Sequence, residues 1–98
     1  MNEHLNPHAH TRRVRVIVRG RVQGVAFRYA TADEARRAGV AGWVHNRPDG
    51  SVEAAFEGRA GAVDELLAFV GRGPPAARVS GIEVFEEPLA GDRDFQIR

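Results

Sequence analysis

The segment Gly20-Arg21-Val22-Gln23-Gly24-Val25-Ala26-Phe27-Arg28 places two glycines and a terminal guanidinium around a short loop. A Gly-bearing loop leading from a strand into the amino end of a helix exposes main-chain N–H groups, and the helix dipole adds positive potential there. Arg28, in the first turn of that helix, adds a planar fork that can grip phosphate or carboxylate through two parallel bonds. Farther along, Asn46 ends a second strand and offers a neutral carboxamide, which both donates and accepts hydrogen bonds. These are the ingredients of an anion site with a water-holding group beside it. Spacing alone leaves alternatives open. The loop is neither GxxxxGK[ST] nor GxGxxG, Arg28 can pair with Asp33 or Glu34 on the surface, and Asn46 can cap a turn.

Other chemistries are poorly provided for. The chain has no Cys, which removes disulfides, thiolate metal sites and cysteine nucleophiles. All 14 basic residues are Arg, so a Schiff-base or P-loop lysine is excluded and any anion site must use Arg and main-chain amides. Ser51 lies beyond the turn that follows Asn46, and no Ser/His/Asp grouping stands near the loop. His45 adjoins Asn46, but neighbours on a strand point to opposite faces, so a direct role for it is not expected. His4, His8 and His10 lie in a polar stretch without a fourth ligand and are expected to be solvated. No metal and no cofactor is expected.

The elements that must position these groups follow from periodicity. Val14, Val16 and Val18 alternate with Arg13, Arg15 and Arg19, the period-two pattern of a strand with one buried face, and Gly20 is expected to end it. Phe27, Ala30, Thr31, Glu34, Ala35 and Ala38 share one side of a helical wheel closed by Gly39. That alanine-rich stripe predicts close packing. Val40 to Asn46 and Ser51 to Glu57 read as strands joined by the turn Arg47-Pro48-Asp49-Gly50. Val63, Leu66, Leu67 and Val70 mark a second helix stopped at Gly71-Arg72-Gly73-Pro74-Pro75. A fourth strand is expected within 77–86, and a short last one near Asp94 to Arg98. The order predicts an α+β, ferredoxin-like βαββαβ sandwich: an antiparallel sheet, two helices on one face, and a short extra C-terminal strand. With the third strand threaded between the first and second, the latter two run parallel and end at one edge. The loop and Asn46 therefore converge.

Ninety-eight residues make one domain, expected at 12–98, behind a disordered tail at 1–11. Hydrophobic content of 43% and charged content of 28% are those of an ordinary globular chain. A net charge of +1 argues against a dedicated nucleic-acid or membrane-surface binder. No apolar run reaches the ~18 residues of a membrane span, and the polar start is unlike a signal peptide. A cytoplasmic monomer is expected.

The loop motif, followed by Gly39-Val40-Ala41-Gly42-Trp43-Val44-His45-Asn46 and by Pro48-Asp49-Gly50-Ser51-Val52, closely resembles the acylphosphatase family. The resemblance spans about residues 13 to 98 and includes the closing Phe95-Gln96-Ile97-Arg98. It implies metal-free hydrolysis of acyl phosphates to carboxylate and inorganic phosphate. By resemblance, Arg28 and the main-chain amides of Val22, Gln23, Gly24, Val25, Ala26 and Phe27 hold the phosphate, and Asn46 orients the attacking water. The partner implied is a small-molecule acyl phosphate, with no nucleic acid and no membrane. Val22, Val25 and Phe27 are expected to anchor the loop in the core, and Trp43 to pack there too. Arg47 departs from the small or apolar residue of many relatives. A ferredoxin-like RNA or anion-binding module is the alternative, and it needs aromatics on the central strands. Ser51 to Glu57 carries two acids and one aromatic, which disfavours it. A domain serving a larger hydrogenase-maturation protein would bring zinc-finger cysteines, which this chain lacks.

Overall fold

The computed structural model describes residues 11–98. The elements are β1 (Thr11–Arg21), α1 (Phe27–Ala38), β2 (Ala41–Asn46), β3 (Val52–Arg59), α2 (Ala60–Arg72), β4 (Arg78–Glu87) and β5 (Phe95–Ile97). They form one five-stranded sheet in the order β4-β1-β3-β2-β5. Because β3 is antiparallel to both β1 and β2, those two run parallel and finish at the same edge. This ferredoxin-like arrangement brings the β1–α1 loop beside Asn46.

One feature departs from the expected antiparallel sheet. β5 pairs parallel with β2, Gly42 opposite Phe95 and Val44 opposite Ile97, so the sheet is mixed. β4 runs against β1, and the reversal through residues 88–94 returns the chain alongside β2 in β2's own direction. Several boundaries also move. Thr11 pairs with Arg59 and is the first residue of β1 rather than the end of a tail, while residues 1–10 lie outside the described residues. β1 does not stop at Gly20 but continues through a bulge at Arg19/Gly20 to Arg21. A side chain at Gly20 would place its Cβ 2.1 Å from the Arg78 carbonyl oxygen, with φ at +126°. Glycine therefore lets β4 press against the bulge instead of breaking the strand. α2 runs through Gly71 and ends at Gly73, whose N–H bonds the Phe69 carbonyl at 2.7 Å.

The two helices cover one face. Val14, Val16 and Val18 of β1, Val44 of β2 and Val52, Ala54 and Phe56 of β3 are buried beneath Phe27, Ala32 and Ala35 of α1 and Val63, Leu66 and Val70 of α2. Small alanines on α1 let it lie close to β2 and β5, as the sequence predicts. Phe95 extends this core to the last strand, its ring stacked 6.0 Å from that of Phe56.

The other face is a ladder of opposite charges. Arg15 reaches Glu53 at 2.9 Å and Glu87 at 3.2 Å, and Arg19 bonds Glu83 at 3.1 Å. His45 meets Glu53 at 2.8 Å. Trp43 lies here, not in the core: it is half-buried, edge-on to His45 and covered by the Arg98 guanidinium at 5.0 Å. The expected burial fails because only alternate residues of β2, Gly42 and Val44, face the helices. Among the described residues no helix is long and apolar enough to cross a membrane.

Candidate active site

Where β1 and β2 end, a cavity of about 190 Å³ is lined by Val22, Gly24, Ala26, Phe27, Arg28, Tyr29 and Asn46. Arg28 and Asn46, 18 residues apart in sequence, thus share one cavity with the loop. The loop is built to leave donors free. α1 begins without a side-chain cap and without an acid in its first turn. Its first N–H groups lack the usual Ser, Asp or Glu partner. Among the described residues, the main-chain N–H groups of Gly24, Val25, Ala26 and Phe27 make no hydrogen bond.

Backbone geometry aims those donors. Gly24 has φ +76° and Ala26 φ +59°, the latter the one non-glycine with positive φ among the described residues. A left-handed residue followed by helical ones turns successive N–H groups into a concave nest for an anion. For alanine this conformation costs about 1–2 kcal/mol, strain of the kind found at functional sites. Val22 and Phe27 are buried and Val25 packs against the core, so the loop is anchored as expected.

Arg28 is held from one side only. One Nη donates to the main-chain oxygen of Arg98 at 2.8 Å, and the Arg98 N–H donates to the Val44 carbonyl at 2.8 Å. The last strand therefore orients the guanidinium while its other N–H groups stay available. Neither Asp33 nor Glu34 takes Arg28. Glu34 pairs with Arg37 instead. The Asn46 side chain makes no hydrogen bond to any described residue. Turn capping falls to Asp49, which accepts the Ser51 N–H at 2.9 Å, and its carboxyl lies below the ordinary range chiefly through the Ser51 hydroxyl bond.

Two loop residues play parts other than lining the cavity. Val25 packs inward, and Gln23 uses its side chain as a tie: Nε2 donates to the carbonyls of Arg47 at 2.7 Å and Ser51 at 2.9 Å. That tie clamps the loop to the turn that carries Asn46. Tyr29 and Arg98 are the site neighbours that sequence reasoning missed. A chemical signal existed for Tyr29, a large aromatic beside Arg28. None existed for Arg98, whose part depends on the parallel pairing of β5. Arg47 stands 3.8 Å from Asp49, a loose pair beside the turn.

A family model described as Acylphosphatase matches residues 14–97. The chain belongs to the acylphosphatase family. An acylphosphatase of Rubrobacter xylanophilus is 62% identical over 89 residues, covering 90% of this chain and 81% of that protein. The crystal structure of acylphosphatase from Bacillus subtilis superposes with a TM-score of 0.85 at 44% identity, covering 88% of this chain and 97% of that one. An acylphosphatase from Coxiella burnetii gives a TM-score of 0.90 at 31% identity, covering 95% and 98%. As in that family, the reaction is hydrolysis of acyl phosphates, and the chain is a hydrolase acting on acid anhydrides.

A larger groove of about 710 Å³ lies between α1 and the carboxyl end of α2, lined by Phe69, Pro74, Pro75 and Asp33 among others. The N–H groups of Gly73 and Ala77 in its lining are already bonded, to the carbonyls of Phe69 and Pro74. On the open sheet face Arg15 and Arg19 pair with carboxylates, and Phe85 and Trp43 lie under guanidinium groups.

Proposed function

We propose that the 190 Å³ cavity binds the phosphate end of an acyl phosphate and delivers water to it. Arg28 and the free N–H groups from Val22 to Phe27 take the phosphoryl oxygens. Val22 and Gln23 hold the loop in shape, and Val25 pins it to the core. Fixed donors aimed at developing charge stabilise a phosphoryl transition state without reorganising. The observation that carries this reading is the pairing of a half-committed Arg28 with an uncommitted Asn46 carboxamide across one small cavity.

Asn46 holds the attacking water. A carboxamide accepts one water proton and can also donate, and being neutral it does not repel the incoming dianion, as a carboxylate would. The water oxygen bonds to phosphorus, and the phosphorus–oxygen bond to the acyl group breaks. Its electron pair leaves on the carboxylate, which needs no proton at neutral pH. One water proton stays on the new phosphate and the other reaches solvent by way of the phosphoryl oxygens. A lining of guanidinium and N–H donors repels cations, so the reaction runs without a metal or cofactor. The site is complete within one chain, and we take the working enzyme to be a cytoplasmic monomer acting on small molecules, without nucleic-acid or membrane partners.

Hydrolysis of benzoyl phosphate in water enriched with heavy oxygen tests this reading. Turnover in the presence of EDTA with the label in inorganic phosphate is the expected result. A label in benzoate places the attack on carbon and contradicts it, as does turnover that needs added magnesium or zinc.

A further inference from the structure

We infer that Tyr29 is the platform on which the acyl part of the substrate rests, giving the enzyme a preference for planar or bulky apolar acyl groups. This rests on the acyl phosphate reading above and extends it to the end of the substrate that the loop does not touch.

The cavity walls decide the matter by elimination. Val22 and Phe27 are buried, and Gly24 and Ala26 present almost no side chain. Arg28 and Asn46 are polar and serve the phosphate and the water. Tyr29 is the one lining residue with a large exposed apolar side chain, 60% accessible to solvent. Its hydroxyl makes no hydrogen bond to any described residue. The ring is therefore not tied down by any structural task among the described residues beyond its contact with Arg28, whose guanidinium carbon lies 6.0 Å from the ring centroid.

Electrostatics fixes which end of the substrate meets the ring. The face of an aromatic ring is negative, so it attracts the Arg28 cation and repels a phosphate dianion. With the phosphate drawn to the amides and Arg28, the group left to cover Tyr29 is the uncharged acyl substituent. A planar acyl group gains stacking and apolar burial there, and an acetyl group has too little area to do so. Position supports the same assignment. Tyr29 is exposed while Val22 and Phe27 are buried, so the platform stands on the solvent side of the lining.

The test compares kcat/KM for benzoyl phosphate and acetyl phosphate across wild type, Tyr29→Ala and Tyr29→Phe. Wild type is expected to prefer benzoyl phosphate. Tyr29→Ala is expected to lower that preference about five- to tenfold, the scale of one aromatic pair contact. Tyr29→Phe retains the preference, because the ring and not the hydroxyl carries it. Inhibition by inorganic phosphate should change less in Tyr29→Ala than the KM for benzoyl phosphate does. An unchanged preference in Tyr29→Ala, or its loss in Tyr29→Phe, overturns the assignment while leaving the hydrolase reading standing. A wild type inert toward both substrates overturns the hydrolase reading itself, and this one with it.

Discussion

Two ends of the same sheet treat their polar groups in opposite ways. Where β3 and β4 end beside the start of β1, at Glu57 and Glu87, nearly every charge is committed. Buried Arg13 bonds Glu57 and Asp92 at 2.9 Å and Glu87 at 3.2 Å, and Glu57 also accepts the N–H groups of Ala90 and Gly91 at 2.9 Å. This cluster staples the chain between β4 and β5 onto the sheet. Where β1 and β2 end, the loop amides and the Asn46 carboxamide make no hydrogen bonds among the described residues, and Arg28 is bound once. Satisfied polar groups hold a fold, whereas aimed and unsatisfied ones are held for a ligand.

Arg28→Ala should give the largest effect. Turnover of benzoyl phosphate is expected to fall by about 10³-fold or more, as when fixed transition-state donors are removed, while the circular dichroism spectrum is kept. Turnover at the parent rate would move the site elsewhere. Glu57→Ala attacks the committed end instead. It leaves the Arg13 guanidinium without its most buried partner, and urea unfolding should show a loss of about 3 kcal/mol. A variant as stable as the parent would mean the cluster is ornamental.

Asn46→Ala comes next, with kcat reduced by about 10²-fold and inhibition by free phosphate weakened by less than about threefold. Equal losses in both would make Asn46 a binding group. Gln23→Ala should cost about tenfold in kcat/KM by loosening the loop from the turn that carries Asn46, with about 1 kcal/mol of stability lost from the two carbonyl bonds. Loss of stability alone, with kcat/KM intact, would make the tie structural.

The smallest effect concerns acid. Burial by itself pushes the Glu57 carboxyl up, but the Ala90 and Gly91 N–H groups and Arg13 outweigh it, so the group sits below its ordinary range. Glu53 follows the same pattern, with burial offset by His45 and Arg15. A carboxyl depressed in the folded state contributes stability above its unfolded pKa, and that contribution is lost as pH falls through the folded value. Acid titrations followed by fluorescence of Trp43 should show Glu57→Gln losing less stability between neutral and acid pH than the parent loses. A steeper loss in the variant would reverse the sign.

Much of this was legible in the sequence, for identifiable reasons. Alternation in Val14, Val16 and Val18 and the helical spacing of Phe27, Thr31 and Ala35 report local burial, which a chain must encode residue by residue. Topology then forces the loop and Asn46 to one edge. Contacts made across long sequence separations by main-chain atoms were not legible. The Arg98 oxygen that steadies Arg28 is 70 residues away and depends on β5 running parallel, a choice made by the length and path of residues 88–94. The tie from the Gln23 side chain to the Arg47 and Ser51 carbonyls was not legible either, because an amide side chain looks alike in every role. The left-handed Ala26 was hidden for a related reason: alanine gives no sign of positive φ.

The central claim is that uncommitted main-chain amides and Arg28 together receive phosphate beside Asn46. A nitrogen-edited NMR titration of the full chain with inorganic phosphate tests it most directly. The largest shifts are expected at the main-chain amides of Gly24, Val25, Ala26 and Phe27, with smaller ones at the neighbouring Asn46 side-chain amide, and all should vanish in Arg28→Ala. Shifts centred on the groove beside Phe69 and Pro74, or unchanged in Arg28→Ala, would contradict it.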